Sequence, residues 1–227
     1  MSIEQKINYK FKNLELLATA LRHATAVNEA SQKLESNERM EYFGDALLSM
    51  LLAEYLYNKY PEKSEGELSL QRAWLQNKNS LAYLANVINL GEYIEMGSGE
   101  LQNGGRVRKS LLADSLEALF AAIYLDSDFH IAKSIILKLY DQNLDALMKE
   151  QPIQQSKNLL QTIVNRKYNV NPEYVVADTS GPPHQRIYKV QVMINGSAFG
   201  SGIANNKKTA EMIAALSVLK NMNYECK

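Results

Sequence analysis

The sequence predicts a multi-domain chain: an all-α domain over residues 1–150, then an α-β-β-β-α (α+β) domain over residues 153–223. Three observations predict it. Apolar residues recur at helical spacing through the first 150 positions, with no convincing strand among them. Beyond Pro152 the pattern changes to alternation over short runs, the mark of half-buried strands. Charge changes with it. Residues 1–150 carry 16 Lys and Arg against 21 Asp and Glu, a balance of −5, and residues 151–227 carry 9 against 4, a balance of +5. A net charge of zero thus conceals an acidic front and a basic tail. The asymmetry suggests two modules with different work, although a basic patch without a fold is a weak signal.

Leu14, Leu16, Leu17, Leu21 and Ala24 open the helical pattern, and a loop is expected from Asn28 to Ser36. The next helix runs from Asn37 through Leu52 to Tyr57, and Pro61 stops it. Glu65 to Leu75 reads as another helix, capped before Leu68. Leu81, Leu84, Ala85 and Ile88 continue the 3.6-residue period. Met96 to Arg106 is rich in glycine and is expected to be a loop. Ser110 to Phe120 is strongly apolar, and a last helix carries Ile131, Ile135, Ile136, Leu139 and Leu144. Past the boundary expected near Lys149 to Ile153, Leu159, Leu160, Ile163 and Val164 mark a separate helix. Tyr174–Asp178 is the first strand. In Ile187–Ile194, Tyr188, Val190, Val192 and Ile194 alternate with Lys189, Gln191 and Met193. Asn195-Gly196 suits a two-residue hairpin turn, because both residues accept positive φ. Phe199–Ala204 is the third strand, and a final helix carries Ala210, Ile213, Ala214 and Leu219. No internal repeat is visible.

Composition narrows the function. With 46% hydrophobic and 22% charged residues the chain is an ordinary globular protein, and no run reaches the length of a membrane span. The first residues lack the features of a signal peptide, so a cytoplasmic location is expected. Cys226 is the only cysteine, which excludes a disulfide framework and a thiolate zinc site. His23, His130 and His184 are too scattered for a histidine-based metal centre.

The chemistry concentrates in two stretches. Glu38, Glu41 and Asp45 fall within an arc of roughly 60° on one helix, while Met40, Phe43, Leu47 and Leu51 point the other way. Asp114 and Glu117 share a face of the second acidic helix, beside Leu111, Leu112, Leu116, Leu119 and Phe120. Such acids repel one another unless cations hold them. Magnesium takes oxygen ligands and keeps several waters, so a few carboxylates suffice, and a bound water becomes a usable hydroxide near neutral pH. The plain alternative is a solvated acidic face. Asp45 and Asp114 lie deep in apolar stretches, and Arg39 is the only basic residue between Glu38 and Leu52. Pattern alone leaves both readings open.

The basic tail ends in a helix that opens Asn205-Asn206-Lys207-Lys208-Thr209. Lysines in a helix's first turn oppose its dipole, at roughly 0.3–1 kcal/mol each. Arriving phosphates would reverse that penalty. Two solvated lysines are the alternative. Arg106, Arg108 and Lys109 could grip a nucleic-acid backbone or form an ordinary basic loop.

Asn37-Glu-Arg-Met-Glu-Tyr-Phe-Gly-Asp-Ala-Leu-Leu resembles the signature of ribonuclease III, the double-stranded-RNA-specific endonuclease. Leu112-Ala-Asp-Ser-Leu-Glu-Ala-Leu matches the family's second acidic motif, and Glu65-Gly-Glu-Leu-Ser and Gly104-Gly-Arg also match. The α-β-β-β-α order, with Gly181-Pro-Pro-His184 between the first two strands, is similar to a double-stranded-RNA-binding domain. The likeness covers almost the whole chain. It implies a magnesium-dependent nuclease, with manganese able to substitute, and no small-molecule cofactor or membrane partner. Glu41, Asp114 and Glu117 would bind the metal. Asp45 and Glu117 would be catalytic, Asp45 completing the cluster that activates water. Glu38 and Glu65 would be supporting acids. The family acts as a homodimer whose two sites cut the two strands, leaving 5′-phosphates, 3′-hydroxyls and short 3′ overhangs. Structured precursors such as rRNA and some mRNAs would be its substrates. Lys207 and Lys208 would bind phosphate across the major groove, with His184 and Gln161 in the flanking minor grooves. Phe43, Leu47 and Met50 would serve the intrachain core or the dimer interface.

Departures are small. Thr25 follows His23-Ala where Ser is usual, Asn206 replaces a small hydroxyl residue, and Trp74 and Gln76 replace smaller apolar residues and acquire no role. A non-cleaving binder would lack an acid at 41, 45, 114 or 117, and none is missing. A helical nucleotide pyrophosphohydrolase would leave the basic tail unused, and a di-iron bundle would need Glu-x-x-His pairs that are absent.

Overall fold

The computed structural model describes residues 1–31, 33–182 and 185–222, and for 150–155 the backbone alone. It divides into two compact units after Asp145.

The first unit is helical. Helices α1 (Ile3–Ile7), α2 (Leu14–Ala20), α3 (Ala24–Glu29), α4 (Glu38–Lys59), α5 (Glu65–Leu75), α6 (Lys78–Val87), α7 (Ser98–Gln102) and α8 (Lys109–Asp126) lead into α9 (Phe129–Tyr168). Helix α8 is the axis of the unit. It is apolar nearly all round, so it is buried nearly all round, and α2, α4 and α6 pack against it. The five apolar residues expected on it, Leu111, Leu112, Leu116, Leu119 and Phe120, are all buried. Ser64 starts α5 with a capping box, its hydroxyl accepting from the Glu67 N–H while the Glu67 carboxylate accepts from the Ser64 N–H.

Two expectations are corrected here. The glycine-rich stretch is not simply a loop, because it contains α7 and a short 3₁₀ turn at Gly105–Val107. Gly104, at φ 75°, supplies the reversal between them. The expected break near Pro152 is also absent, since α9 runs from Phe129 to Tyr168. Proline removes one helical hydrogen bond and bends the backbone. It need not end a helix when apolar residues keep helical spacing on both sides, as Leu144 and Leu147 do before it and Leu160 and Val164 after it.

In the second unit, β1 (Glu173–Ser180), β2 (Ile187–Ile194) and β3 (Ser197–Ala204) form an antiparallel sheet in that order, followed by α10 (Lys207–Asn221). Val190, Val192 and Ile194 turn one face of β2 inward, as the alternation predicts. They meet Leu160 and Val164 of α9 and Ala210, Ala214, Val218 and Leu219 of α10. Asn195 and Gly196 adopt φ of 50° and 75° in the turn from β2 to β3. Among the described residues, no helix is long and apolar enough to cross a membrane.

Candidate active site

The site begins with where α4 can go. Gly44 lies so close to α8 that a Cβ built there would stand 1.9 Å from the Glu117 carbonyl oxygen. Only the missing side chain lets the two backbones approach this far. Asn37 fixes the register, its buried side-chain amide donating to Ser115 Oγ at 3.3 Å and its N–H to the Arg22 carbonyl at 2.9 Å. Arg22, itself buried, is paired with Glu95 at 3.2 Å.

With the helices so placed, Glu41 from α4 and Asp114 and Glu117 from α8 bring one carboxylate oxygen each within 4.8 Å of one another. Glu117 is 8% exposed, which is rare for an unpaired carboxylate. Burial, and after it the charges of Asp45, Glu41 and Asp114, push its pKa up to about 8. Glu41 is raised by burial, then by Asp114 and Glu38. Burial raises Asp114 as well, against the pull of Lys78 and His23. Lys78, exposed at the start of α6, lowers all three. It softens the repulsion without cancelling it. Hard oxygen donors that crowd and repel, each with its pKa raised, fit a divalent cation.

The metal-free protein should register this strain. The native state holds a proton on Glu117 up to about pH 8, whereas the unfolded chain releases it near 4.5. Between those values the native state binds more protons, so stability falls as pH rises through the window. We expect the thermal midpoint in chelator to fall between about pH 5 and pH 8, and Glu117→Gln to flatten that slope. A slope unchanged by the substitution would refute the assignment.

Asp45 is exposed on α4 and lies outside the 4.8 Å group, near enough for its charge to act on Glu117 and Glu41. Its carboxylate accepts from Gln76 Nε2 at 2.6 Å, and the same nitrogen donates to the Asp45 main-chain carbonyl at 3.0 Å. Glu38 is exposed and accepts from Ser36 Oγ. Glu65 stands exposed at the first turn of α5 and accepts from Ser69 Oγ, outside the carboxylate group. The basic segment leading into α8 is engaged within the chain: Arg106 donates to the Gly91 carbonyl, Arg108 pairs with Glu100 at 2.9 Å, and Lys109, the first residue of α8, donates to Asn79. His23 caps α3, its Nδ1 accepting from the Thr25 N–H, so the Thr keeps a structural partner.

In the second unit, Lys207 and Lys208 are exposed at the first turn of α10, where Asn206 caps the helix by accepting from the Thr209 N–H at 2.8 Å. Gln161 is exposed on α9 and shares a shallow depression with Asn158, Thr162, Asn165 and Arg166. His184 lies outside the described residues.

Sequence reading missed Gly44, Asn37 and Gln76. The only signal for Gly44 was a glycine inside a helix, where the residue costs about 1 kcal/mol relative to alanine. Phe43, Leu47 and Met50 divide. Leu47 is buried, Phe43 packs edge-on against Tyr124 at 5.3 Å, and Met50 is half exposed.

Comparison with known proteins agrees with both units. Residues 13–144 match the family model "Ribonuclease-III-like", and residues 156–222 match "Double-stranded RNA binding motif". The chain is 39% identical to Ribonuclease 3 of Borreliella afzelii, over 96% of this chain and 89% of that one. It is 40% identical to Ribonuclease 3 of Clostridium tetani, over 97% and 93%. Among solved structures, the nuclease domain of ribonuclease III from Campylobacter jejuni superposes with a TM-score of 0.58 at 42% identity, over 62% of this chain and 95% of that one. That structure is described as showing flexibility in the region involved in dimer formation.

Proposed function

Because the chain belongs to the ribonuclease III family, and so is a double-stranded-RNA-specific endoribonuclease, we propose that it cuts both strands of duplex RNA in a magnesium-dependent reaction. The observation that carries this is the convergence of Glu41, Asp114 and Glu117 within 4.8 Å on helices from distant parts of the chain.

Glu41, Asp114 and Glu117 would hold magnesium, with manganese able to substitute. The bound ion supplies an activated water and offsets charge on the phosphate. The chain's own residues do the rest. Asp45 faces solvent beside Glu117, where it receives the proton of the attacking water. Water adds to phosphorus, the bond to the 3′ oxygen breaks and that oxygen takes up a proton from solvent, and the ends are a 5′-phosphate and a 3′-hydroxyl. Glu38 is a supporting acid that adds negative charge beside Glu41 for the cation, and Glu65 is a more distant supporting acid. Lys207 and Lys208 meet phosphates at the start of α10, while Gln161 and His184 reach minor grooves that are read by shape. The two modules are a nuclease over residues 1–150 and a binding domain over 153–223.

The working form is a homodimer, because two strands related by local two-fold symmetry need two equivalent sites. Tyr42 and Met50, 82% and 50% exposed on α4, supply apolar surface for it. An apolar groove between α2 and α4 is lined by Met40 and Phe43. The protein works in the cytoplasm on structured precursor RNA, including rRNA and some mRNAs.

The test is a perfect RNA duplex incubated with magnesium, with calcium and with chelator. Cutting in magnesium alone is expected, with the ends above and binding without cutting in calcium. Equal cutting in chelator would overturn the metal reading.

A further inference from the structure

We infer that Gln76 is a positioning residue: its side-chain amide holds the Asp45 carboxylate in one orientation for the metal-dependent reaction. The inference rests on the metal reading above and adds a residue to it.

Gln76 lies in the turn between α5 and α6, and everything around that turn is tied down. Trp74 and Leu75 are buried. The Trp74 carbonyl accepts from Ser80 Oγ at 2.8 Å. The Leu75 carbonyl accepts from the buried Tyr140 hydroxyl at 3.1 Å, which anchors the turn to α9. Asn77 caps α6, accepting from the Asn79 and Ser80 N–H groups. The Gln76 N–H itself closes the end of α5 on the Arg72 carbonyl.

From this fixed base the side chain crosses to α4. Its two amide hydrogens divide between the Asp45 carbonyl and carboxylate Oδ1, so one nitrogen grips backbone and side chain of the same residue. An exposed aspartate would otherwise sample several rotamers. Held at Oδ1, Asp45 keeps Oδ2 for other work. A neutral amide does this without cancelling the carboxylate's charge, as a lysine or arginine would. Groups that orient a metal centre's surroundings typically change metal affinity or activity by about 10–100-fold when removed.

The test uses Gln76→Met, which keeps length and loses the donor, in the full chain and in an Asp45→Ala background. Mn²⁺ is titrated calorimetrically into the RNA-free protein, and duplex cleavage is followed in parallel. Gln76→Met should weaken Mn²⁺ about tenfold and lower kcat by a similar factor, with KM for duplex RNA and the thermal midpoint unchanged. In the Asp45→Ala background the same substitution should cost less than about twofold, because the partner is gone. Unchanged Mn²⁺ affinity and kcat would overturn the inference, as would an equal loss with and without Asp45. Should Gln76→Met lower the midpoint, Gln76→Asn, one methylene too short for the grip, decides by the same criteria. A parent protein that binds no Mn²⁺ would overturn the metal reading and this inference together. A parent that binds it, matched by Gln76→Met, overturns this inference alone.

Discussion

Replacing Glu117 by Gln is expected to abolish cleavage of duplex RNA while leaving duplex binding intact. The substitution is nearly isosteric, so the packing of α8 is preserved. It also removes the proton that the native protein holds into the neutral range, since burial and the charges of Asp45, Glu41 and Asp114 carry the Glu117 pKa to about 8. The metal-free variant should therefore fold at least as well as the parent at neutral pH. What it loses is one of three carboxylates within 4.8 Å. A metal contributes several kcal/mol of transition-state charge stabilisation, so kcat should fall about a thousandfold or more. Binding should persist, because Lys207, Lys208 and Gln161 belong to the other unit. Single-turnover cleavage in magnesium and a gel shift in calcium separate the two effects. Retained cleavage of a perfect duplex would refute the site.

The sequence made these acids visible because their spacing on helices is a local property. Glu41 and Asp45 share a face by spacing alone, and so do Asp114 and Glu117. That the two faces meet is not local. It depends on α4 packing along α8, which neither stretch encodes by itself. The sheet was legible for a similar reason. Val190, Val192 and Ile194 alternate, and Asn195-Gly196 suits a primed turn. The short helices were not legible, because α1 and α7 hold five residues each, too few to show a period. The continuous α9 was hidden behind Pro152, whose local preference is overridden by helical spacing on both sides.

Gln76 shows a different kind of blindness. A glutamine in an apolar position reads as a surface accident until its partner is known. The partner is 31 residues away. Trp74, equally unassigned from sequence, is a core residue whose carbonyl accepts from Ser80 Oγ.

Gly44→Ala should be the most damaging single methyl group in the nuclease unit. The added Cβ would stand 1.9 Å from the Glu117 carbonyl oxygen and 2.5 Å from its carbonyl carbon. Both belong to the backbone of a buried helix, so no flexible side chain can yield. The helices must separate, and α8 cannot retreat because α2 and α6 pack against it. Alanine favours a helix over glycine by about 1 kcal/mol, and the clash outweighs that gain. Overpacking costs about 1–3 kcal/mol, which in a domain this size lowers Tm by roughly 2–12 °C. The functional loss should exceed the structural one. Glu41 and Asp45 ride on α4 at either side of Gly44, whereas Asp114 and Glu117 ride on α8. Any separation opens the carboxylate group along the line where the ion would sit. A displacement of about 1 Å in such a site can cost 100-fold in rate. We therefore expect kcat to fall at least about 100-fold at temperatures where the variant is still folded, with duplex binding by the tail unaffected. Thermal melting, single-turnover cleavage and the gel shift together make the check. A variant that melts and cuts like the parent would mean that α4 and α8 do not approach as closely as Gly44 permits.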